Sequence, residues 1–366
     1  MTIPLVDLAA QHDEVADEVS IGLADVFRRT AFVGGREVDE FERQYAAYVG
    51  TRHCVGVANG TDGLELALRA VGVRAGGEVV LPANTFIATA EAVSRIGAHP
   101  VLVDVDEDHL LIDPERVRDA ITHRTQAVVP VHLFGQTAFV ERLQAVAGDI
   151  PLVEDAAQAQ GALRHGRPAG SLGAVAATSF YPGKNLGAAG DAGAVMTDDP
   201  DVAATVRVLA AHGSPRKYVH DVVGMNSRLD TVQAVYLSAK LSRLEKWNEL
   251  RREAAARYAE LLVDVAGLRL PRSAEGNTDV WHLYVVRSPH RDRLLADLGA
   301  AGIGAGVHYP TPVHLTGAYA HLGLGPGSFP VSERAADEIL SLPMYPHLAG
   351  DQQERVATAV AASLEG

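Results

Sequence analysis

Cysteine is almost absent from this 366-residue chain, which contains only Cys54. A single cysteine cannot form an intramolecular disulfide, and such a composition suits a reducing compartment. The first residues, MTIPLVDLAAQHDE, have neither the basic start nor the apolar core of a signal peptide. We therefore expect a cytoplasmic protein.

Positive charge is also scarce, since 32 Lys and Arg residues face 46 Asp and Glu residues, for a net charge of -14. A general nucleic-acid surface needs a basic face, so no nucleic-acid partner is expected. Residues 168–183 are uncharged, but this run is too short and too rich in Gly and Pro to span a bilayer. We expect no membrane partner, although a local cationic pocket for a phosphate remains compatible with this composition.

The common nucleotide and metal motifs are missing. A P-loop needs GxxxxGK[ST], but around Lys184 the first Gly is replaced by Thr178 and the final Ser or Thr by Asn185. No GxGxxG lies at a strand-to-helix turn, and HExxH and paired CxxC motifs are absent. The 15 histidines are scattered, so no metal site is predicted.

What the first 200 residues do contain is an alternation of short apolar runs with helical patterns. Apolar strands separated by helices indicate a mainly parallel sheet that is covered on both faces. The predicted strands are 53–58, 78–82, 100–105, 127–132, 150–155, 175–180 and 193–197.

The pattern changes from about Arg228. A long helical stretch follows, which predicts two helices with a break near Trp247, then a strand at 281–287 and a helix from Arg291 to Ala301. The segment 302–330 is rich in Gly, Pro and His. The chain is therefore predicted to be α/β, with a large domain over 1–245 and a smaller α+β domain over 246–366.

Polar residues follow several predicted strands, where ligands of α/β sheets gather. Asn59-Gly60-Thr61-Asp62 opens a helix whose free N–H groups could bind a phosphate, or Thr61 or Asp62 could simply cap that helix. Asp155 ends a strand and Gln158 follows on the same face of a helical turn. Asp155 could alternatively cap the segment that it precedes.

Lys184 lies in SFYPGKNLGAAGDAG, a nearly apolar stretch rich in Gly and Ala with no acidic residue before Asp191. A surface-loop lysine is the ordinary interpretation of such a residue. Lys184, Asp155 and the possible phosphate-binding turn at Asn59-Gly60-Thr61-Asp62 together fit pyridoxal phosphate instead. This cofactor needs a Schiff-base lysine, a carboxylate partner for its pyridinium proton and a binding site for its phosphate. Partial desolvation would make the amine nucleophilic.

These same segments resemble the DegT-type sugar aminotransferase family, which has the aspartate-aminotransferase fold, fold type I of the pyridoxal-phosphate transferases. The resemblance extends from residues 3–11 to residues 341–348. The segments that carry it are SFYPGKNLGAAGDAGAV, VEDAAQAQGA, ANGTDGLELAL, VPVHLFGQ and GMNSRLDTVQA.

The resemblance implies a role for each matching residue. Lys184 and Asp155 would be catalytic, as the Schiff-base lysine and the partner of the pyridinium nitrogen. Asn226 would reach the phosphate site of a neighbouring subunit, which implies a homodimer with shared active sites. The other implied cofactor contacts are Gln158 with the ring hydroxyl, Gly60, Thr61 and Ser179 with the phosphate, and Phe86 stacked on the ring.

The family transfers an amino group from L-glutamate to a nucleotide-linked ketohexose, in two half-reactions with pyridoxamine phosphate between them. Lys217, and more weakly Arg228, could bind the diphosphate, although both could be solvated loop charges. His308 and Tyr309 could bond sugar hydroxyls, or their segment could be a packing loop.

The opening IPLVDLAAQ and the segment HYPTPVH look like those of members that aminate carbon 3 of a 6-deoxyhexose, with dTDP the expected nucleotide. Amination of a 4-ketone or of a cyclitol ketone such as an inosose remains open. A related pyridoxamine-dependent sugar dehydratase lacks the lysine that is present here as Lys184. A catalytically silent, cofactor-binding regulator is disfavoured because Lys184, Asp155 and Gln158 are all present.

Overall fold

The computed structural model describes residues 2–365. Its helices are α1 Leu8–Asp13, α2 Ala16–Arg29, α3 Arg36–Val49, α4 Gly60–Ala70, α5 Ala88–Arg95, α6 Pro114–Ala120, α7 Val140–Ala147, α8 Pro200–Ala210, α9 Thr231–Leu241, α10 Leu244–Leu262, α11 Arg291–Ala300, α12 Pro330–Glu338 and α13 Gly350–Glu365. Within residues 2–365 no helix has the length and apolar character that a membrane crossing requires.

Within the described residues, the strands form one large sheet and two small ones. They are β1 His53–Val57, β2 Glu78–Pro82, β3 His99–Val103, β4 Thr125–Val128, β5 Val153–Asp155, β6 Leu163–Arg164, β7 Arg167–Pro168, β8 Val175–Ser179, β9 Gly193–Thr197, β10 Asn277–Thr278, β11 Tyr284–Arg287 and β12 Ile339–Leu342. All seven strands that the sequence predicted before residue 200 are confirmed.

The large sheet has the strand order β1–β9–β8–β5–β4–β2–β3. Its two parts, of four and three strands, are joined by parallel bridges from Val128 to Leu152 and from Val131 to Asp155. β5 pairs with β8, and β2 with both β3 and β4, in parallel, whereas β9 runs antiparallel to β1 and β8. The sheet is therefore mainly parallel, as predicted.

Helices cover this sheet on both faces, which is why its strands are mainly apolar. Successive strand residues point to opposite faces. Val195 of β9 accordingly joins a core with Leu66 of α4, while the next residue, Met196, joins a second core with Phe41 of α3. Every residue of β9 is buried.

A separate core lies in the second half of the chain. Tyr258 of α10, Leu294 of α11 and Val356 of α13 pack there against β11 and β12. Ile3 joins the same core, and its N–H donates to the carbonyl of Gly302 over 2.9 Å. The predicted strand and helix at 281–301 are confirmed, whereas the domain division at residue 245 stays a prediction.

The two predicted helices are confirmed as α9 and α10, but the predicted position of the break between them, near Trp247, is wrong. α9 ends at Leu241 and α10 begins at Leu244, so Trp247 lies inside α10. The break falls at Ser242, whose hydroxyl donates to the carbonyl of Ala239 over 2.7 Å. Such a bond from a serine side chain to the preceding turn competes with the helical pattern.

Candidate active site

A cavity of about 500 Å³ opens where β5 and β8 end and α4 begins. Cavities of this size at the carboxyl ends of strands are typical of cofactor and substrate sites. Nine of the twelve predicted site residues line it, namely Gly60, Thr61, Phe86, Asp155, Gln158, Ser179, Lys184, His308 and Tyr309.

The other three predicted residues do not line this cavity. Lys217, Asn226 and Arg228 are exposed on the segment that follows α8. The ammonium of Lys217 lies 5.0 Å from the ring centre of its neighbour Tyr218.

Lys184 lies in the loop after β8 and faces the cavity instead of the outer surface. Its N–H donates to the carbonyl of Tyr181 over 2.8 Å, which closes a tight turn. Burial lowers the pKa of its amine to about 8, against an opposing effect from the charge of Asp155. A neutral, nucleophilic amine is therefore accessible near neutral pH.

The lysine loop is anchored from behind by buried polar side chains. Asn185 donates to the Asn248 side chain over 3.0 Å and to the carbonyl of Val280 over 2.9 Å. The buried ammonium of Lys240 donates to the carbonyl of Gly187 over 2.8 Å. These hydrogen bonds fix the backbone of the loop that carries Lys184.

Asp155 ends β5 and is buried. Thr89 Oγ1 donates to its Oδ2 over 2.8 Å, and the N–H of Ala157 donates to its Oδ1 over 3.2 Å. Burial raises the pKa of Asp155, while Thr89, Ala157 and the charges of Lys184 and His132 act in the opposite direction. The bond from Ala157 agrees with the alternative interpretation of Asp155 as a cap, whereas the sequence did not predict the donor from Thr89.

Gln158 has a fixed amide orientation. Its Oε1 accepts a hydrogen bond from the N–H of Phe134 over 2.7 Å, and its Nε2 donates to the hydroxyl of Tyr309 over 3.0 Å. An amide nitrogen carries two hydrogens, so one donor remains for an oxygen in the cavity. Burial raises the pKa of Tyr309, which keeps its phenol protonated.

The start of α4 forms a cradle for an anion. The helix is capped by Asn59, whose Oδ1 accepts from the N–H of Asp62 over 2.8 Å, so neither Thr61 nor Asp62 is the cap. The N–H groups of Gly60 and Thr61 lack partners within the helix. A Cβ at Gly60 would lie 2.7 Å from the Cβ of Ser179, so only glycine allows this close approach.

The rim of the cavity carries an aromatic pair. Phe86 is 51% exposed, and its ring centre lies 5.2 Å from that of Tyr309. An exposed ring at a cavity mouth can cover a flat ligand. Together with the anion cradle, the buried carboxylate and the desolvated lysine, this arrangement fits pyridoxal phosphate.

Sequence reasoning missed three residues here. Thr85 and His282 line the cavity, and Thr89 contacts Asp155 from α5. His282 Nδ1 lies 3.3 Å from Asn185 Oδ1, and burial together with the Lys184 charge lowers its pKa well below its usual range. In the sequence, Thr85 and Thr89 lie close to Phe86, and His282 lies within the predicted strand at 281–287, but no pattern there marks them as site residues.

Comparisons with known proteins agree with this geometry. Residues 14–361 match the model of the DegT/DnrJ/EryC1/StrS aminotransferase family. The chain is 46% identical over 98% of its length to dTDP-3-amino-3,4,6-trideoxy-alpha-D-glucose transaminase of Streptomyces venezuelae, covering 95% of that protein. It is also 46% identical over 99% of its length to the erythromycin biosynthesis sensory transduction protein EryC1 of Saccharopolyspora erythraea, covering 100% of it.

Among solved structures, the crystal structure of S. venezuelae DesV in complex with a ketimine intermediate superposes with a TM-score of 0.98. The two sequences are 45% identical, and the match covers 100% of this chain and 99% of that one. The predicted aspartate-aminotransferase fold is thereby confirmed.

Proposed function

Since the chain belongs to the DegT/DnrJ/EryC1/StrS family of pyridoxal-phosphate-dependent aminotransferases, we propose that it aminates carbon 3 of a nucleotide-linked 3-keto-6-deoxyhexose with L-glutamate. The observation that carries this substrate class is the 46% identity with the S. venezuelae dTDP-3-amino sugar transaminase. We take dTDP as the nucleotide on the same ground.

The residues around the cavity divide into those that hold the cofactor and those that act on protons. The N–H groups of Gly60 and Thr61 and the hydroxyl of Ser179 would hold the cofactor phosphate at the positive end of α4. The remaining Nε2 hydrogen of Gln158 would donate to the hydroxyl oxygen of the pyridine ring. The carboxylate of Asp155 would accept a hydrogen bond from the protonated pyridine nitrogen.

When bound, the cofactor supplies a ring that withdraws electrons from the carbon that loses its proton. Lys184 takes that proton from the α-carbon of glutamate on its neutral Nζ. In the second half-reaction the same nitrogen delivers a proton to carbon 3 of the sugar. The lowered pKa of Lys184 suits both transfers because a base works best near the operating pH.

We also propose that the active site is completed by a second copy of the chain. Of the described residues that line the cavity, Lys184 is the only lysine or arginine. A nucleotide diphosphate requires further cations. Lys217, Arg228 and the amide of Asn226, all exposed on the segment after α8, would enter the partner's site.

Exposed apolar side chains support such a contact. Phe27 is 59% exposed and Val33 is 55% exposed, and the backbone of Val33 pairs with that of Asp230 beside the Asn226 segment. Large apolar groups in such positions are common at subunit interfaces. We place the dimer in the cytoplasm because Cys54 is free and buried, which suits a reducing compartment.

The experiment combines a spectrum with product analysis. The purified, cofactor-loaded protein should show a visible absorbance band that glutamate bleaches. It should then aminate a dTDP-linked 3-keto-6-deoxyhexose, with the product identified by NMR, and not the matching 4-keto sugar or an inosose. Rapid amination of the 4-ketone, with the 3-ketone ignored, would reverse the assignment of carbon 3.

The name of EryC1 as a sensory transduction protein keeps a silent regulator as a second candidate. The two functions differ in turnover. A regulator would bind the cofactor yet leave glutamate unconsumed in the presence of every ketosugar, whereas the intact set of Lys184, Asp155 and Gln158 predicts steady consumption.

A further inference from the structure

We infer that Thr89, supported by Thr85, is a positioning residue that holds the carboxylate of Asp155 ionised and in a fixed orientation. The part of this inference that concerns the cofactor rests on the proposed function. The hydrogen bond between Thr89 and Asp155 is present in the structure without cofactor, so it can be tested separately.

The direction of the hydrogen bonds can be assigned. Thr89 Oγ1 lies 2.8 Å from Asp155 Oδ2, and an ionised carboxylate can only accept, so the Thr89 hydroxyl donates. Thr85 Oγ1 lies 2.8 Å from Thr89 Oγ1. Because the only hydroxyl hydrogen of Thr89 is already donated to Asp155, Thr85 must be the donor of this second bond. The chain therefore runs from Thr85 through Thr89 to Asp155.

The placement of Thr89 is unusual for a threonine in a helix. It is the second residue of α5 and is 1% exposed, while Thr85, in the turn before α5, is 3% exposed. Helical threonines commonly donate to a carbonyl in the preceding turn. Here the hydroxyl instead bonds a carboxylate 66 positions away in the sequence, at the end of β5.

The energetic need for this donor follows from burial. Burial raises the pKa of Asp155, and the hydrogen bond from Thr89 is the largest of the effects that oppose it. The other opposing groups are the N–H of Ala157 and the charges of Lys184 and His132. Since Thr85 orients and polarises the Thr89 hydroxyl, it strengthens the same bond.

The test begins with the cofactor-free protein. Thr89→Val keeps the shape of the side chain and removes the donor, and Thr89→Ser keeps the donor. The ionisation of Asp155 is followed by NMR of ¹³C-labelled aspartate, with the signal assigned from Asp155→Asn. The pKa of Asp155 should rise by about one unit in Thr89→Val, by less in Thr85→Val, and return towards the wild-type value in Thr89→Ser.

The loaded enzyme gives a second readout. In Thr89→Val, kcat should fall by about tenfold with KM for glutamate unchanged, and the acidic limb of the kcat profile should move to higher pH. An unchanged Asp155 titration in a folded Thr89→Val protein would overturn the inference, as would a failure of Thr89→Ser to restore it. If the valine variant does not fold, Thr89→Ala removes the same hydroxyl. A shifted titration in a protein that never transaminates supports the contact and refutes only the proposed function.

Discussion

Replacing Lys184 with methionine should stabilise the cofactor-free protein at neutral pH. The amine lines a cavity in the protein interior, and burial lowers its pKa from 10.5 to about 8. Because one pKa unit corresponds to about 1.4 kcal/mol, a fall from 10.5 to about 8 makes the charged lysine cost at most about 3–4 kcal/mol of folding free energy. Water at the cavity mouth reduces this value, so it is an upper bound.

The pH dependence of this cost has a definite sign. The pKa is lower in the folded state than in the unfolded state, so the unfolded chain binds more protons between about pH 8 and pH 10.5. The penalty is fully present below pH 8 and disappears as the pH rises through this interval. The free energy of unfolding of the wild type should therefore approach that of Lys184→Met at high pH.

Urea unfolding of both cofactor-free proteins, at one protein concentration and between about pH 7 and pH 10, measures this difference. Lys246→Met is a matched control, since Lys246 is exposed and paired with Glu249 over 2.9 Å. That variant should show no change of this kind in the same range. A difference between the wild type and Lys184→Met that stays constant with pH would refute the reasoning.

Three further predictions concern the cofactor site. Asp155→Asn should lower the transamination rate by at least about tenfold, because a charge-assisted bond is lost, and an undiminished rate would contradict its role. Gly60→Ala should push Ser179 away from α4 and weaken cofactor binding by roughly tenfold in a fluorescence titration. Unchanged binding would show that the start of α4 is not the phosphate site. Mixed dimers of Lys184→Ala and Asn226→Ala should regain activity that neither parent has, and a fully active monomer would exclude the shared site.

The predicted fold followed from features that each strand carries locally. The apolar run Val79–Pro82 indicates a strand that is buried on both faces, and the structure buries all four of these residues. The break between α9 and α10 carries no such signal, because the sequence there contains neither Gly nor Pro. At the break the hydroxyl of Ser242 donates to the carbonyl of Ala239, a local bond that no sequence pattern announces.

The cavity positions of Lys184 and Asp155 were predictable because each has an uncommon neighbourhood in the sequence. Lys184 lies in a loop without nearby acidic residues, and Asp155 ends an apolar strand. Thr89 has no such setting, since a threonine in a helix is ordinary and its partner comes from a distant strand. The orientation of Gln158 likewise depends on the backbone of Phe134. Contacts of this kind arise from tertiary packing between segments far apart in the sequence, so no short segment predicts them.

The packing of Ile3 against residues near 300 has a consequence for synthesis on the ribosome. Its backbone pairs with Ile303, so about 300 residues must be made before this contact can form. At roughly 5–20 residues per second, that takes about 15–60 s. The strands of the large sheet, complete by Thr197, emerge well before then. The N-terminal segment around Ile3 is therefore synthesised first but is among the last to form its native contacts.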